Sequence, residues 1–488
     1  MAILLVVDNP KNWPLHIPDV SVVAARTYLT DPTWSDDRTA KVFNLCRSYR
    51  YQTVGYYVSL LAAARGHKPL PDINTIQDMK SQTVVRTLSE DVEELIQETL
   101  KPLRSRKFTL SIYFGRNLGK RYEALALRLF NLFQAPMLRA EFVRRKHWEL
   151  QAIQPITVDE IPEEHREFTI RAAQQYFAGR NKRLRKRRTP RFDLAVLVNP
   201  AEDEPPSDER AIERFQKAAE TVGLDFELIT RDDFHRLAEF DALFIRETTA
   251  VNHHTFRFSQ RAAAEDMVVI DDPVSILRCS NKVYLAEMLD RHEILTPKTV
   301  VVHKQTRDLI LAELGLPCIL KQPDSAFSKG VIKVQTEDEL NREVNRLLEK
   351  SDLIIAQQFL PTAFDWRVGI CDRRALYVCR YYMARRHWQV IRHAKDGTKT
   401  EGTTHTISVG EAPQDLIRTA QRAANLIGDG FYGVDIKEID GKFYVMEVND
   451  NPNFDSGIED AVLKGALYRE LMGIFLRRIE QRKRGFGV

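Results

Sequence analysis

The stretch FYGVDIKEIDGKFYVMEVNDNPNF, residues 431–454, constrains this chain more than any other part of it. It reads as two apolar strands meeting at a turn, yet Asp435, Glu447 and Asn449 interrupt them. Strand side chains alternate between faces, so the pairing register decides which residues meet. Pairing Glu438 with Lys442 puts Val434, Ile436, Tyr444, Met446 and Val448 on one apolar face. That register predicts a three-residue loop, Ile439-Asp440-Gly441, with Gly441 left-handed. It also gathers Asp435, Glu447 and Asn449 on the opposite face. A two-residue Asp440-Gly441 turn sends Asp435 to the face of Met446, and the apolar pattern speaks against it.

Carboxylates crowded on a partly buried face repel one another unless a cation or a shared proton compensates. Hard oxygen ligands suit Mg²⁺, which completes its octahedron with water and phosphate oxygens. The alternative is an exposed hairpin with incidental acids, and the clean separation of the two faces disfavours it. A magnesium site for phosphates predicts cations close by. Lys321 ends the apolar run CILK, an awkward place for an ammonium without an anionic partner. Lys282 opens an amphipathic helix, KVYLAEML. Arg367 and Arg380 fall on strands, where a planar guanidinium can grip phosphate or carboxylate at two points. A surface position is the bland reading of each cation alone, and the acidic hairpin makes the set more than that.

The rest of the chain alternates strands and helices. MAILLVVD and KFTLSIYFG read as strands, QTVGYYVSLLAAAR and YEALALRLFNLF as helices, the former closed by Gly66. FDLAVLVNP, the helix RAIERFQKAAETVG, FELIT and DALFIRET suggest a small parallel sheet. No GxGxxG follows its first strand, which argues against a dinucleotide fold there. A run of basic residues, GRNKRLRKRRTPR at 179–191, has eight Lys or Arg in thirteen positions. It reads as a solvated connector, or as a dock for RNA or an acidic tail. Without interleaved aromatic residues it does not point to nucleic acid. The expected division is an α/β domain over 1–178, a linker over 179–191, a small parallel-sheet domain over 192–275 and a two-lobed α+β domain over 276–488. The closing helix is expected from Ile458 to Leu476.

A net charge of +4 on 488 residues gives no electrostatic argument for a polyanionic partner. No apolar run reaches the roughly 18–20 residues of a membrane helix. The first residues read as a buried strand rather than a secretory leader. Five scattered cysteines and no disulfide spacing suit a reducing cytoplasm.

These residues together resemble the ATP-grasp carboxylate–amine ligases, and within them the RimK-like glutamate ligases. The metal motif is matched by GVDIKE and MEVNDNP, the nucleotide lysines by Lys282 in SNKVYLAEML and Lys321 in CILKQPDSAFSKGV. IIAQQFL resembles the strand linking the lobes, DWRV the DxR element, and Arg380 the later strand arginine. FDALFIRETTA resembles the end of the small preceding domain. The resemblance covers about residues 192–480, and the first 190 resemble the extra front domain of some RimK-like proteins.

The resemblance implies ATP between two lobes, with adenine at Gln357, Gln358, Phe359 and Leu360. Lys282 and Lys321 then hold the phosphates, aided by Ser328, Lys329 and Gly330 of the covering loop. Asp435, Glu447 and Asn449 hold one or two Mg²⁺ ions, with Mn²⁺ able to replace them. Arg380 and Asn449, with Arg367, carry catalysis, and Arg246 and Asp365 orient substrate. The implied reaction joins a carboxylate to an amine, such as an amino acid, a peptide or a protein tail, through an acyl phosphate. A homo-oligomer is compatible with all of this. The covering loop departs from the family in keeping a single glycine, in DSAFSKG, and Gln358 stands where glutamate is frequent. The poor loop motivates a second reading, a catalytically weak ATP-binding regulatory protein of the same fold.

Overall fold

The computed structural model describes residues 3–483 apart from 14–19, 36–39, 83–84, 86–88, 90–91, 158–159, 182–190, 324–330, 385–390 and 394–398. The chain forms two compact units: Met1–Phe192 with Asp232–Glu239 and Lys483–Val488, and Asp193–Arg231 with Phe240–Arg482.

The first unit begins with β1 (Ile3–Val7), β2 (Ser21–Ala24), β3 (Lys41–Asn44) and β4 (Lys68–Leu70), a parallel sheet of order β2-β1-β3-β4. Its apolar run ILLVV is buried on both faces, as a strand covered on both sides requires. An antiparallel sheet follows, of β5 (Lys107–Tyr113), β6 (Met137–Arg144) and β7 (Trp148–Pro155). The helix Glu123–Leu132 buries Leu125, Ala126, Leu129 and Phe130, the stripe its 3.6-residue period dictates.

The second unit opens with β8 (Phe192–Leu197), β9 (Leu224–Ile229), β10 (Ala242–Ile245) and β11 (Val268–Ile270), ordered β11-β10-β8-β9. β10 runs parallel to both β8 and β11. Asp208 caps the helix Glu209–Val222 by accepting from the Ala211 amide, and Gly223 ends it at φ 89°. An antiparallel sheet then orders β12 (Thr299–Val302), β15 (Ile354–Gln358), β13 (Cys318–Lys321) and β14 (Val331–Val334) side by side.

The larger antiparallel sheet carries β16 (Phe364–Cys371), β17 (Arg374–Tyr382), β20 (Thr404–Ile407), β21 (Phe431–Ile439) and β22 (Lys442–Asp450), ordered β20-β17-β16-β21-β22. A separate small ladder pairs β18 (Ile391–His393) with β19 (Lys399–Glu401). One face of the large sheet buries Trp366, Val368, Val378, Val434, Ile436 and Val448 against Leu416, Ala420, Ala423, Ala424 and Ile427 of the helix Gln414–Ile427. Each such aliphatic side chain contributes on the order of 1.5–3 kcal/mol by leaving water. The other face is thereby free to carry charge.

The closing helix spans Gly465–Lys483, starting later than the apolar pattern suggests. Buried Glu459 and Asp460 take the amides of Asp455 and Gly457, at 2.7 and 2.6 Å, and hold this stretch in turns. Among the described residues no helix is long and apolar enough to cross a membrane, and all five cysteines are buried and unbridged.

Candidate ATP and metal site

The hairpin of β21 and β22 turns differently from expectation. Ile439 pairs with Lys442, so the loop is the two-residue Asp440-Gly441 turn, with φ of 51° and 71°. Positive φ at both positions is the twist-matched two-residue hairpin turn. Phe443 and Val445 fill the apolar face in place of the expected Tyr444 and Met446. Left uncorrected, this register separates Asp435 from Glu447. A β-bulge corrects it: Ile436 pairs with Val445 but Asp435 pairs with Glu447, leaving Met446 as the extra residue. The acids meet as expected, by another route.

The polar face is a ladder of opposite charges. Arg367 on β16 grips Asp435 on β21 at two points, Nε–Oδ1 and Nη2–Oδ2 both 2.7 Å. Asn449 donates from Nδ2 to the same carboxylate at 3.1 Å. Next along the strands, Lys437 reaches Asp365 and the Thr362 hydroxyl, the latter at 2.7 Å. Glu447 accepts Lys282 Nζ at 2.9 Å. Lys282 is placed by its helix, Lys282–Arg291, whose first turn is capped by the Asn281 side chain. Lys321, at the end of β13, donates to Gln357 Oε1 at 2.8 Å, and Gln357 Nε2 in turn reaches Thr299 Oγ1 at 3.0 Å. Lys282, Lys321, Thr299, Gln357, Val445 and Met446 line one cleft.

Electrostatics follow from this crowding. Burial pushes the Lys321 ammonium down to about 8; Glu447 opposes the shift, and Lys282 and Lys437 add to it. Burial raises the Glu447 carboxyl, but Lys282 and Lys321 outweigh it and hold the group below the usual glutamate range. Asp435 moves the other way: burial and Glu447 raise its carboxyl against the pull of Arg367. A carboxyl raised in this way is favoured as the anion by any further cation beside it. Asp435, Glu447 and Asn449 share this face, and carboxylate and amide oxygens are the donor type Mg²⁺ prefers, while the lysines beside them suit its phosphate ligands.

Two glycines let the face close over. Gly369 and Gly433 sit opposite each other in the ladder. A Cβ at Gly369 would lie 2.1 Å from Cε1 of Tyr377, and one at Gly433 would lie 2.8 Å from Cβ of Pro452. The second contact brings the turn after β22 back over β21.

Two expected site residues stand elsewhere. Arg380 pairs across the ladder with Trp366, on the core face opposite Arg367 and Asp435. Its guanidinium lies over Trp366, 4.6 Å from the ring centroid, and over Phe364 at 5.3 Å. Arg246 is 1% exposed and its donors are engaged by Ser207 Oγ, Asn451 Oδ1 and the carbonyls of Pro206 and Pro452. It clamps the chain after β10 to the turn after β22 and has no hand for substrate. Gln358 is exposed on β15, with its amide on the Lys298 carbonyl at 2.8 Å. Phe359 and Leu360 follow it, half-buried, with Lys333 Nζ 3.7 Å from the Phe359 ring centroid. Ser328, Lys329 and Gly330 lie outside the described residues, as does most of the basic run.

Lys437, 9% exposed, was missed in the sequence reading. Its signal was present in GVDIKE, since it stands two residues from Asp435 on one strand and therefore shares its face.

Two family descriptions match the chain: the RimK-like ATPgrasp N-terminal domain over residues 25–172, and the D-ala D-ala ligase C-terminus over residues 289–460. The alpha-aminoadipate–LysW ligase LysX of Sulfurisphaera tokodaii is 26% identical over 197 residues, 39% of this chain. The match spans 65% of that relative, just under two thirds. A probable alpha-L-glutamate ligase of Maridesulfovibrio salexigens is 26% identical over 46% of this chain and 72% of its own length. The tetrahydromethanopterin:alpha-L-glutamate ligase of Methanocaldococcus jannaschii is 24% identical over 47% and 77%. The solved D-alanine–D-alanine ligase of Bacillus anthracis complexed with ATP superposes at a TM-score of 0.46 and 17% identity, over 61% of this chain and 99% of that one.

Proposed function

We propose, from the premise that this chain is an ATP-grasp protein with a RimK-like N-terminal domain, that it is an ATP-dependent carboxylate–amine ligase. The observation that carries the reading is the pairing of Asp435 with Glu447 on a charged sheet face, with Lys282 held at Glu447.

In this reading a substrate carboxylate oxygen attacks the γ-phosphorus of ATP, the β–γ bridge breaks, and ADP leaves an acyl phosphate. An amine then attacks the acyl carbon, the bond to phosphate breaks, and an amide, phosphate and a proton are released. Lys282 and Lys321 hold the phosphates, and the end of β15, from Gln357 to Leu360, receives the adenine. Asp435, Glu447 and Asn449 would hold one or two Mg²⁺ ions, or Mn²⁺, which supply charge neutralisation at the transferring phosphoryl group. Arg367 takes the stabilising role that the sequence suggested for Arg380, because it shares the face of the acids. Asp365 positions Lys437 and acts on substrate only through it. Catalysis of the first step is positioning and electrostatics rather than covalent chemistry by the protein.

In this reading an amino acid such as glutamate is joined to a peptide, a protein or a small amine. The division of the second unit near residue 275 into a small domain and a two-lobed one belongs to the same reading. Five buried, unbridged cysteines suit a reducing cytoplasm.

The sparse glycine content of DSAFSKG favours one rival, an ATP-binding regulatory protein with weak turnover. A screen of amino acids and acceptors for ADP formation, with mass spectrometry of the product, separates the two. The ligase reading expects ADP only when an acid and an amine are both present, with a product lighter than their sum by one water. Binding of MgATP with no pair stimulating ADP release would leave the regulatory reading standing.

A further inference from the structure

We propose a second cation site, separate from the ATP site, that takes a first-row transition ion through Glu247, His253 and His254. One donor atom from each of the three lies within 4.8 Å of the others. They converge because β10 ends at Ile245 and the chain turns over 246–253 into the helix His254–Ala264, so the glutamate after the strand faces both histidines.

The donor set is built rather than incidental. Glu247 is 2% exposed; its Oε2 lies 2.9 Å from His254 Nε2, while its Oε1 is buried with no hydrogen-bond partner among the described residues. Leaving a buried carboxylate oxygen unpaired costs about 1–3 kcal/mol or more, so the arrangement implies a ligand. The neighbouring Thr248 hydroxyl is also buried and unpartnered among the described residues. Glu202 accepts the Thr248 amide at 3.2 and 3.4 Å, adding a second carboxylate just behind the first.

The histidine orientations fit a metal. Thr255 Oγ1 lies 3.3 Å from the Thr248 carbonyl and 3.0 Å from His253 Nδ1, so when its hydroxyl donates to the carbonyl it receives Nδ1–H of His253. In that tautomer the His253 Nε2 lone pair is available for coordination, with the outer hydrogen bond usual for a ligating histidine. His254 offers Nε2, which now shares a proton with Glu247 and gives it up when an ion enters. Two imidazoles and one carboxylate are nitrogen-rich ligands, suited to Zn²⁺, Co²⁺ or Ni²⁺ rather than to Mg²⁺. Three protein ligands leave at least one position for water or a substrate atom. The Glu247 carbonyl accepts Asn451 Nδ2 at 2.6 Å, so an ion here would also stiffen the support of the turn after β22.

The test uses the full chain without a histidine tag, stripped by chelator and titrated with Zn²⁺ in the presence of saturating Mg²⁺. One equivalent of Zn²⁺ is expected to bind, and Co²⁺ loading should give visible d–d absorption of a nitrogen–oxygen site. His254→Ala and Glu247→Gln should each weaken binding by roughly 10–100-fold or more, while Glu447→Gln leaves it unchanged. His253→Ala, on a half-buried residue, guards against a folding artefact, and circular dichroism accompanies all variants. No stoichiometric Zn²⁺ binding, or binding that is indifferent to all three site variants, overturns the proposal. Loss of Zn²⁺ with Glu447→Gln alone would place the ion at the ATP site and overturn it equally.

Discussion

Arg246 is a buried guanidinium and Arg367 a half-buried one, both in the second unit, and the fold uses them in opposite ways. Arg246 is ringed by Pro206, Ser207, Asn451 and Pro452, partners that cannot leave without unfolding the junction they form. Arg367 faces a single carboxylate, Asp435, on a strand surface where other charges lie within reach. Saturation by backbone makes an arginine structural; pairing with one exchangeable ion leaves it available for chemistry. Arg380 is a third case, stacked on aromatic rings on the far face.

Arg246→Ala strands two carbonyls and an amide oxygen in a buried junction and should cost about 3–5 kcal/mol in urea unfolding, since each buried acceptor left unsatisfied costs about 1–3 kcal/mol. A loss under about 1 kcal/mol would remove Arg246 from the structural class. Arg367→Ala should instead lower ADP formation by roughly 100–1000-fold, the scale of a lost transition-state donor, with a smaller loss of stability than Arg246→Ala. The reverse pattern, stability lost and turnover kept, would erase the distinction between the two arginines.

Lys321 sharpens the account through pH. Its ammonium sits near 8, held down chiefly by burial. Only the charged form attracts phosphate, so ATP affinity should hold at lower pH and fall as pH rises through about 8, with bound phosphate moving the midpoint upward. Lys321→Ala should raise the ATP dissociation constant by about 10–100-fold below that pH, in line with about 1.5–3 kcal/mol for a charged hydrogen bond. Lys321→Arg should keep the affinity and flatten the profile in calorimetric titrations. The smallest effect belongs to Arg380→Met: less than about 3-fold in ATP binding, and about 0.5–1 kcal/mol of stability from the lost ring contacts.

How far the sequence could be read depended on what each residue's environment is made of. The acids were legible because carboxylates at alternate positions beside valines and isoleucines have one sensible face. Their route to each other was not. FYVMEV is apolar through Phe443, Tyr444, Val445 and Met446, so either phase satisfies the core, and the bulge at Met446 shows only in the pairing. Arg380 failed for the same reason: Leu376, Tyr377, Val378 and Cys379 are all buried, and a strand apolar on both faces gives no phase. Arg246 failed differently, because its partners Asn451 and Pro452 lie some two hundred positions away. The strand–helix order was more legible in the second unit, where it rests on local periodicity and caps such as Gly223 after Val222, than in the first, where only β1, β5 and two helices were read and β2, β3, β4, β6 and β7 were not.

The central claim is that Asp435, Glu447 and Asn449 bind the metal of a metal–nucleotide complex. Calorimetry of ATP binding with and without Mg²⁺, in the wild-type chain and in Glu447→Gln, tests it most directly. The wild-type chain should bind ATP much more tightly with Mg²⁺ than with chelator, and Glu447→Gln should lose most of that Mg²⁺-dependent gain while remaining folded by circular dichroism. An undiminished Mg²⁺ dependence in the folded variant would contradict the assignment of the hairpin face.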